Sequence, residues 1–390
     1  MTILLVSTIA LALLVAFING AIGSGGVVGL TTPVTRRGHK ILYLASATLI
    51  ASGGVMLGTR VSRTIARGVV DTSGLGVGEL LIISLSTLIS TLSASLAVVH
   101  YKIPISMSQL TVGGVIGATL ALRGPSPIIP ERLWLILASW VLTPVISGLL
   151  AASLNSAMNY ISGSGSPRGT VILQSLIFFT VFFIVQYLLL SELVEHSIAL
   201  VYSLFFSFSV ALAIGVSMLT QGYTLTDGVG VYKLYTQAIA ALLLGVSYGA
   251  HDVANSAGPL ALVLSSSAQD FESSLKLAVF VASTGLFAGA LLWSYRIAES
   301  VGGRIVTLTP ETSFIVQVSS TLAILLAVGL RIPSSITLAI TGSLAGLGYA
   351  RGLKYVNTKM LIVVNLSWLI LVPATCALSY AIATLMSLVV

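Results

Sequence analysis

Long apolar runs separated by short polar stretches make up most of this chain. Their approximate bounds are 1–18, 41–58, 78–99, 103–122, 132–152, 171–191, 197–219, 234–250, 257–267, 274–294, 312–330, 334–350 and 361–390. A helix needs about 20 apolar residues to cross the hydrocarbon core of a bilayer, and most of the runs approach that length. The ten-residue alternation typical of a membrane β-barrel does not occur in the sequence. The pattern therefore predicts an all-α polytopic membrane protein with about 10–12 membrane segments.

Several of the runs are short or dense in Gly, Ser and Thr, which predicts broken helices or re-entrant hairpins enclosed by the protein. The polar stretches are too short to form a soluble domain, and the most linker-like of them is Ser-Gly-Ser-Gly-Ser-Pro-Arg-Gly at residues 162–169. The run at 1–18 has no basic residue before it and no small-residue cleavage pattern after it. We therefore expect a retained first span rather than a signal peptide.

Composition supports the membrane assignment. Charged residues make up 7% of the chain and apolar residues 56%, whereas soluble domains carry about 25% charged residues. This excludes a soluble enzyme, a disordered chain and a disulfide scaffold, and the lone Cys376 can form no intrachain disulfide. The net charge of +7 comes from basic residues that flank apolar runs singly or in small clusters. That arrangement is typical of membrane topology signals and indicates no nucleic-acid partner.

The two halves of the chain correspond at a nearly constant offset of about 229 residues. The segment 102–108, Lys-Ile-Pro-Ile-Ser-Met-Ser, corresponds to Arg-Ile-Pro-Ser-Ser-Ile-Thr at 331–337. Further ordered correspondences join Gly20-Ala21 to Gly249-Ala250, Gly54 and Gly58 to Gly285 and Gly289, Gly113 and Gly117 to Gly342 and Gly346, and Ser139-Trp140 to Ser367-Trp368. Five matches in order at so steady an offset indicate an internal duplication.

A duplication in a membrane protein has a physical meaning. Two copies, inverted or parallel, bring equivalent broken helices together near the bilayer midplane, where a substrate can be held between them. We predict a first repeat at 1–160, a connecting linker with two spans at 161–230, and a second repeat at 231–390.

The segment 248–260 contains the strongest candidate for chemistry. Asp252 is its carboxylate, and no other charged residue occurs between Lys233 and Asp270. An ionised group at membrane depth is costly, so a functional role is the default interpretation. Asn255 shares a helical face with Asp252, and Gly258-Pro259 permits a helix interruption whose freed carbonyls and amides could line a cavity. The alternative is a short surface loop in which Asp252 caps a helix. His251 has no His or Cys at zinc-ligand spacing.

The duplicated Pro-x-Ser-x-Ser/Thr segments resemble helix N-termini. Unpaired amides and the positive end of the helix dipole attract anions there, and the hydroxyls could donate to the oxygens of a tetrahedral anion. The candidates are Ser106, Ser108, Ser335 and Thr337. Alternatively, these hydroxyls bond back to their own helices, as is common in membrane spans. The preceding Lys102 and Arg331 are typical of interfacial anchors.

A glycine-rich segment at 19–29 is the third candidate. It lacks the preceding strand and the Gly-Lys-Ser/Thr ending of a nucleotide-binding loop. Gly25 and Gly26 are candidate substrate contacts, although Gly25-x-x-x-Gly29 could equally serve close helix packing. Asn19 is a candidate residue for cation or proton coupling.

The motif Gly-Ala-His-Asp-Val-Ala-Asn at 249–255 resembles the Gly-Ala-Asn-Asp-Val-Ala-Asn signature of the inorganic phosphate transporter (PiT) family, which are cation-coupled permeases. That family carries the signature once per repeat, followed by a Pro-Val-Ser-Thr-Thr-His-like hairpin and a Trp–Pro span. The resemblance implies inverted repeats, re-entrant hairpins, and phosphate held with sodium ions or protons at the repeat interface. It implies cation and substrate ligands at Asp252 and Asn255. The hydroxyls of Ser106, Ser108, Ser335 and Thr337 would contact the anion.

The chain departs from the family signature in both copies. His251 replaces the first Asn in the second copy. In the first copy, Ile22, Gly23 and Gly26 stand where Asn, Asp and Asn are expected, so one carboxylate is missing. Histidine side chains in general titrate near neutrality, so His251 could supply a protonatable partner for Asp252. That hypothesis predicts transport driven by a pH gradient and indifferent to sodium.

The sequence therefore predicts a secondary active symporter of inorganic phosphate, a multi-pass protein of the cell membrane that works by alternating access. It is not expected to be an enzyme or to use a cofactor other than bound sodium ions at Asp252. The expected partners are phosphate, sodium ions or protons, and the lipid bilayer, with a homodimer left open. The alternatives are a permease for sulfate or another oxyanion and a transport-incompetent scaffold or sensor. An intramembrane hydrolase lacks the necessary Ser/His/Asp arrangement or metal cluster.

Overall fold

A computed structural model describes residues 2–30, 36–100, 106–163, 167–221, 228–266, 270–294, 308–352 and 358–388. These residues form helices, with no strand beyond an isolated bridge between Val70 and Ile128, and the all-α prediction is confirmed. The helices are α1 (Thr2–Gly29), α2 (Arg36–Leu57), α3 (Thr59–Arg67), α4 (Val77–His100), α5 (Met107–Arg123), α6 (Pro130–Gly163), α7 (Pro167–Leu190), α8 (His196–Gln221), α9 (Gly228–Asp252), α10 (Ala254–Ser265), α11 (Phe271–Leu292), α12 (Pro310–Gly329), α13 (Ile336–Arg351) and α14 (Thr358–Ser387).

Nine helices of the described part of the chain are long and apolar enough to span a bilayer, namely α1, α2, α4, α6, α7, α8, α11, α12 and α14. The protein is therefore a multi-pass membrane protein. Three other helices are short: α5 has 17 residues, α10 has 12 and α13 has 16. At 1.5 Å per residue they are about 18–26 Å long, less than the ~30 Å hydrocarbon core. Since α10 is almost wholly buried and α5 and α13 are buried over most of their length, they are the short internal helices that the sequence predicts.

The two hairpin helices α5 and α13 begin and end in the same way. Their N-caps, Ser106 and Ser335, are extended, and each hydroxyl accepts a hydrogen bond from the amide three residues on, at 3.4 Å. Both helices end at a glycine with positive φ, +68° at Gly124 and +110° at Gly352, a conformation that glycine adopts without steric cost. Lys102 and Pro104, which precede α5 in the sequence, lie outside the described residues.

Glycines seat each hairpin helix on a helix of the other repeat. A Cβ on Gly117 of α5 would overlap the carbonyl group of Cys376 in α14, and a Cβ on Gly346 of α13 would overlap that of Gly148 in α6. Gly346 is the counterpart of Gly117, and Gly148 is the counterpart of Cys376. The contact is therefore made twice with the repeats exchanged, which is the pattern of a two-fold interface. The helices obey an approximate two-fold relation, whereas the inverted orientation of the copies stays a prediction.

The same reciprocity joins α1 to α11 and α9 to α2. A Cβ on Gly20 would overlap the carbonyl of Leu286, and a Cβ on its counterpart Gly249 would overlap that of Ile50. At each of these crossings only a glycine allows the two backbones to approach so closely. Asn19, next to Gly20, and Asp252, three residues after Gly249, are both buried near these crossings.

One sequence correspondence is corrected by these contacts. Gly289 lies against the carbonyl of Phe17, and Gly53 lies against that of Val246, which is the counterpart of Phe17. Gly289 is therefore equivalent to Gly53, and the alignment of Gly54 and Gly58 with Gly285 and Gly289 is wrong. Gly289 follows Gly53 by 236 residues rather than about 229. The second repeat therefore has about seven more residues before this crossing, and a fixed offset cannot register that difference.

Helices α7 and α8 pack on one another and belong to neither crossing. Phe178 of α7 contacts Phe314 of α12 edge-on, with 5.7 Å between ring centroids. Glu192, which follows α7, forms ion pairs with Arg60 at 3.0 Å and with Arg331 at 3.2 Å. These ion pairs connect helices α7 and α8 to both repeats. Burial lowers the pKa of Arg60 while Glu192 opposes that shift. The boundaries at residues 160 and 230 stay predictions, and residues 164–166 and 222–227 lie outside the described part.

Candidate functional site

The break between α9 and α10 falls at Val253, immediately after Asp252. The sequence also permits an interruption at Gly258-Pro259, but α10 continues through Pro259 to Ser265. Pro259 has no amide to give to the carbonyl of Asn255, four residues earlier. The hydroxyl of Thr111 in α5 lies 3.4 Å from that carbonyl and 3.1 Å from the carbonyl of Met107 in its own helix, so its single proton is shared between the two. A neighbouring helix thus provides a polar contact at the carbonyl that the proline leaves without an amide.

His251 connects the carboxylate of Asp252 to the segment before α13. Its Nδ1 lies 2.6 Å from Asp252 Oδ1, and its Nε2 accepts a hydrogen bond of 2.8 Å from the backbone amide of Ser334. An imidazole nitrogen that accepts carries no proton, so these partners assign the proton to Nδ1. His251 is fully buried and Asp252 is 4% exposed. The arrangement is a neutral imidazole that donates to a buried carboxylate.

Helix α6 holds the extended segment before α13 from the other side. The hydroxyls of Thr143 and Ser334 lie 2.6 Å apart, and the Ser139 hydroxyl lies 3.3 Å from the carbonyl of Pro333. Ser334 therefore contacts His251 through its amide and α6 through its hydroxyl. The segment 332–335 is fixed between the two repeats.

The first repeat reaches Asp252 through Asn19. The Asn19 side-chain amide donates to the backbone carbonyl of Asp252 at 2.8 Å. The hydroxyl of Tyr248 lies 2.6 Å from both the backbone oxygen and the Oδ1 of Asn19, and it also interacts with the Asp252 carboxylate. The side chains of all three residues are buried. The Asp252 carboxylate is thus surrounded by amide, hydroxyl and carbonyl groups from both repeats.

Buried polar atoms without a partner lie beside this cluster. Both side-chain atoms of Asn255 and the hydroxyl of Ser108 have no hydrogen-bond partner among the described residues. Ser108 lies one helical turn before Thr111, on the face of α5 that contacts the Asn255 backbone. An unsatisfied buried group costs about 1–3 kcal/mol, so such a group marks a place where a ligand is expected. Amide and hydroxyl groups of this kind can bind the oxygens of an anion.

The other predicted hydroxyls have different positions. The Ser106 and Ser335 hydroxyls bond to amides of their own helices, which is the alternative that the sequence left open. Thr337 is half-buried on α13. Gly25 and Gly26 are buried within α1, which is unbroken over this stretch. A Cβ on Gly26 would meet only Ile340 of α13, at an ordinary 3.9 Å, so helix packing does not require glycine there.

Two further groups of buried polar side chains, in α4 and α12, were not predicted from the sequence. They are buried and lack a hydrogen-bond partner within the described ranges: Ser84, Thr87 and Thr91 in α4, and Ser313, Gln317 and Ser319 in α12. Helix α4 packs against α1, α5 and α10, and α12 packs against α9 and α13. The offset of about 229 residues pairs Ser84 with Ser313 and Ser90 with Ser319. That duplicated spacing was the signal that could have revealed them.

A family model described as the phosphate transporter family matches residues 38–379. The chain belongs to that family. A protein of Chlamydia trachomatis that carries the provisional name phosphate permease is 29% identical over 88% of this chain and 90% of its own length. The inorganic phosphate transporter 2-1 of Arabidopsis thaliana chloroplasts is 26% identical over 86% of this chain and 65% of its own.

A solved structure described as the sodium-dependent phosphate transporter superposes with a TM-score of 0.92 at 26% identity, over 100% of both chains. The resemblance inferred from residues 249–260 and the all-α membrane fold are confirmed. The family and the structural neighbour are transporters, and the protein is a transporter rather than an enzyme. The roles of the individual site residues stay predictions.

Proposed function

We propose that the protein moves inorganic phosphate across the membrane together with sodium ions, by alternating access, with Asp252 as the cation-binding carboxylate. The supporting observation is a buried carboxylate without a basic counter-charge. Among the described residues, the only ion-pair partner of Asp252 is His251, and the bond from Ser334 leaves that imidazole neutral. A buried ion without compensation is strongly unfavourable, so a bound cation is the natural complement.

Sodium is favoured over a proton because both nitrogens of His251 are engaged. A second proton would have to enter at Nε2, which accepts the Ser334 amide, and two donors would then face each other. Protonation of His251 would therefore cost the connection to the segment before α13. The similarity to a transporter described as sodium-dependent agrees with this preference. Proton coupling through His251 is the alternative that the experiment must test.

Phosphate is the proposed substrate because of the family and because of the unpartnered donors. The Asn255 amide and the Ser108 hydroxyl are free to donate to anion oxygens, according to the described contacts. The nearby N-terminal ends of α5, α10 and α13 add the positive ends of their helix dipoles. Asp252 could accept the proton of hydrogen phosphate, a proton that sulfate lacks. A sulfate permease on the same scaffold remains the second candidate.

The experiment compares Asp252→Asn with Asp270→Asn in proteoliposomes. Asp270 is an exposed N-cap of α11, and Asn is an equally good cap, so it is a matched control. We expect a sodium gradient to drive uptake of labelled phosphate by the wild type and by Asp270→Asn. Asp252→Asn should lose uptake but keep the elution profile of the folded protein.

Each other result has a distinct meaning. Wild-type uptake by Asp252→Asn would contradict the cation site, and uptake driven by a pH gradient without sodium would favour coupling through His251. Equal competition by sulfate would favour the broader anion permease. A wild-type protein that transports neither anion would indicate a scaffold or sensor. We further propose the cell membrane as the location, and a homodimer stays a prediction to be checked by mass measurement in detergent.

A further inference from the structure

We infer that Tyr248 occupies the place of the carboxylate that the first repeat lacks, so that the transporter has one anionic cation site where a symmetric molecule would have two. This inference rests on the sodium coupling proposed above. It concerns Gly23, which is the counterpart of Asp252 in the first repeat, and Tyr248, which is the counterpart of Asn19 in the second. These four residues form two repeat-related pairs.

The aromatic ring excludes any side chain at residue 23. A Cβ built on Gly23 would overlap Cζ and both Cε atoms of Tyr248. These atoms belong to a rigid aromatic ring, so they cannot move aside as the end of a flexible side chain could. Tyr248 is 1% exposed and is among the largest fully buried side chains of the described residues. The ring fills the volume that a carboxylate at residue 23 would need.

The hydroxyl holds the ring in this position. It lies 2.6 Å from the backbone oxygen and from Oδ1 of Asn19, and it also interacts with the backbone of Gly23 and with the carboxylate of Asp252. Asn19 in turn donates from its side-chain amide to the backbone carbonyl of Asp252, at 2.8 Å. The contact between the signatures is thus made once by an amide and once by a phenol. The phenol is neutral, so the first signature contributes no negative charge.

The charge difference has a consequence for coupling. A carboxylate at residue 23 would be the counterpart of Asp252 across the two-fold relation, and a second negative charge could compensate a second cation. With a phenol in that place, Asp252 alone provides negative charge in this cluster of described residues. We therefore expect one sodium ion fewer to be bound than in a variant that regains the carboxylate.

The packing part of the inference is tested without sodium. Gly23→Ala should lower the midpoint temperature of unfolding in detergent by several degrees, because the ring cannot make room. Gly26→Ala, one turn further along α1, should change it little, since its Cβ meets only Ile340. In a Tyr248→Ala background the cost of Gly23→Ala should disappear. A Gly23→Ala protein as stable as Gly26→Ala would overturn the inference.

The charge part uses the double variant Gly23→Asp/Tyr248→Ala. Tyr248→Ala alone and Gly23→Asp alone serve as its controls. We expect the double variant to show a steeper sodium dependence of the unfolding temperature, and to bind more labelled sodium per molecule, than the wild type or Tyr248→Ala. The same sodium dependence in the double variant as in Tyr248→Ala would contradict the inference.

The two proposals fail in different ways. If sodium does not stabilise the wild type at all, the sodium coupling proposed above is wrong. The packing rescue between residues 23 and 248 needs no sodium, and it still decides whether Tyr248 occupies the place of the lost side chain.

Discussion

At the scale of single residues, Asn255 and Asn155 show how burial and hydrogen bonding separate a binding group from a structural one. Both side chains are almost fully buried. Asn155 accepts a hydrogen bond from Arg351 at 3.2 Å, whereas neither polar atom of Asn255 has a partner among the described residues. An amide kept buried and unpaired destabilises the empty protein, and a ligand is the physical reason to retain it.

The first prediction concerns Asn255→Leu, which removes both polar atoms at similar volume. The free energy of unfolding should stay the same or rise, because the desolvation penalty of about 1–3 kcal/mol disappears. Phosphate uptake should be lost. Thermal unfolding in detergent and uptake into proteoliposomes measure the two effects.

Asn155→Leu is the matched control for that variant. It leaves the Arg351 guanidinium without its acceptor, so it should lower stability by about 1–2 kcal/mol. Uptake should then fall only with the amount of folded protein. The opposite pattern, with Asn255→Leu unfolding and Asn155→Leu inactive but stable, would argue that Asn255 is a structural residue.

At the scale of helices, α10 remains continuous at Pro259, where a hydroxyl of α5 lies beside the carbonyl that the proline leaves without an amide. The Thr111 hydroxyl reaches the carbonyl of Asn255, which also brings the face of α5 with Ser108 to the signature. A proline in a buried helix is therefore compatible with a regular backbone where a neighbouring hydroxyl is available. The bond between helices positions the binding residues as well as the helix.

The second prediction is a coupling between Thr111→Val and Pro259→Ala. Thr111→Val alone should destabilise the protein by about 1 kcal/mol, because it removes the hydroxyl that the carbonyls of Met107 and Asn255 share. After Pro259→Ala the residue 259 amide can bond to that carbonyl within α10, so Thr111→Val should cost less. A double-mutant cycle from thermal unfolding measures the difference.

Thr119→Val provides the control on the same helix. Its hydroxyl bonds only to the carbonyl of Val115, one turn back in α5, at 2.8 Å. Its cost should be the same with proline or alanine at residue 259. Equal coupling of Pro259 to both threonines would mean that Thr111 does not replace the missing amide.

The sequence could predict which helices would be short and where the carboxylate would lie, but not the contacts that only packing creates. Ser106 and Ser335 were recognisable as residues at helix N-termini, because a proline followed by hydroxyl residues is a local signal and both copies of the duplication carry it. Tyr248 was not recognisable as the group opposite Gly23, because the two residues are distant in sequence and meet only when α9 crosses α1. For the same reason the sequence could not show that α10 continues through Pro259, because the hydroxyl beside the unpaired Asn255 carbonyl belongs to another helix.

At the scale of the whole molecule, the closest contacts are those between the two repeats. Gly117 of α5 and Gly346 of α13 lie against α14 and α6. Gly20 of α1 and Gly249 of α9 lie against α11 and α2. Each of these interfaces joins one helix from each sequence half. Sliding the first half as a body against the second would have to break all four of these backbone contacts. We therefore expect the moving bodies to be sets of helices that combine both repeats.

The last prediction tests that arrangement with Gly117→Ala and Gly346→Ala. If these interfaces stay closed during transport, each variant should lower the free energy of unfolding by about 1–3 kcal/mol through overpacking, and by similar amounts because the sites are related by the two-fold. Uptake per folded molecule should be retained. Gly245→Ala, whose Cβ would make ordinary contacts of 3.6 Å or more, should be close to wild type in both measurements. If instead these surfaces slide in each cycle, both alanine variants should slow uptake per folded molecule more than they reduce stability. That result would indicate that the two sequence halves, and not mixed sets of helices, are the bodies that move.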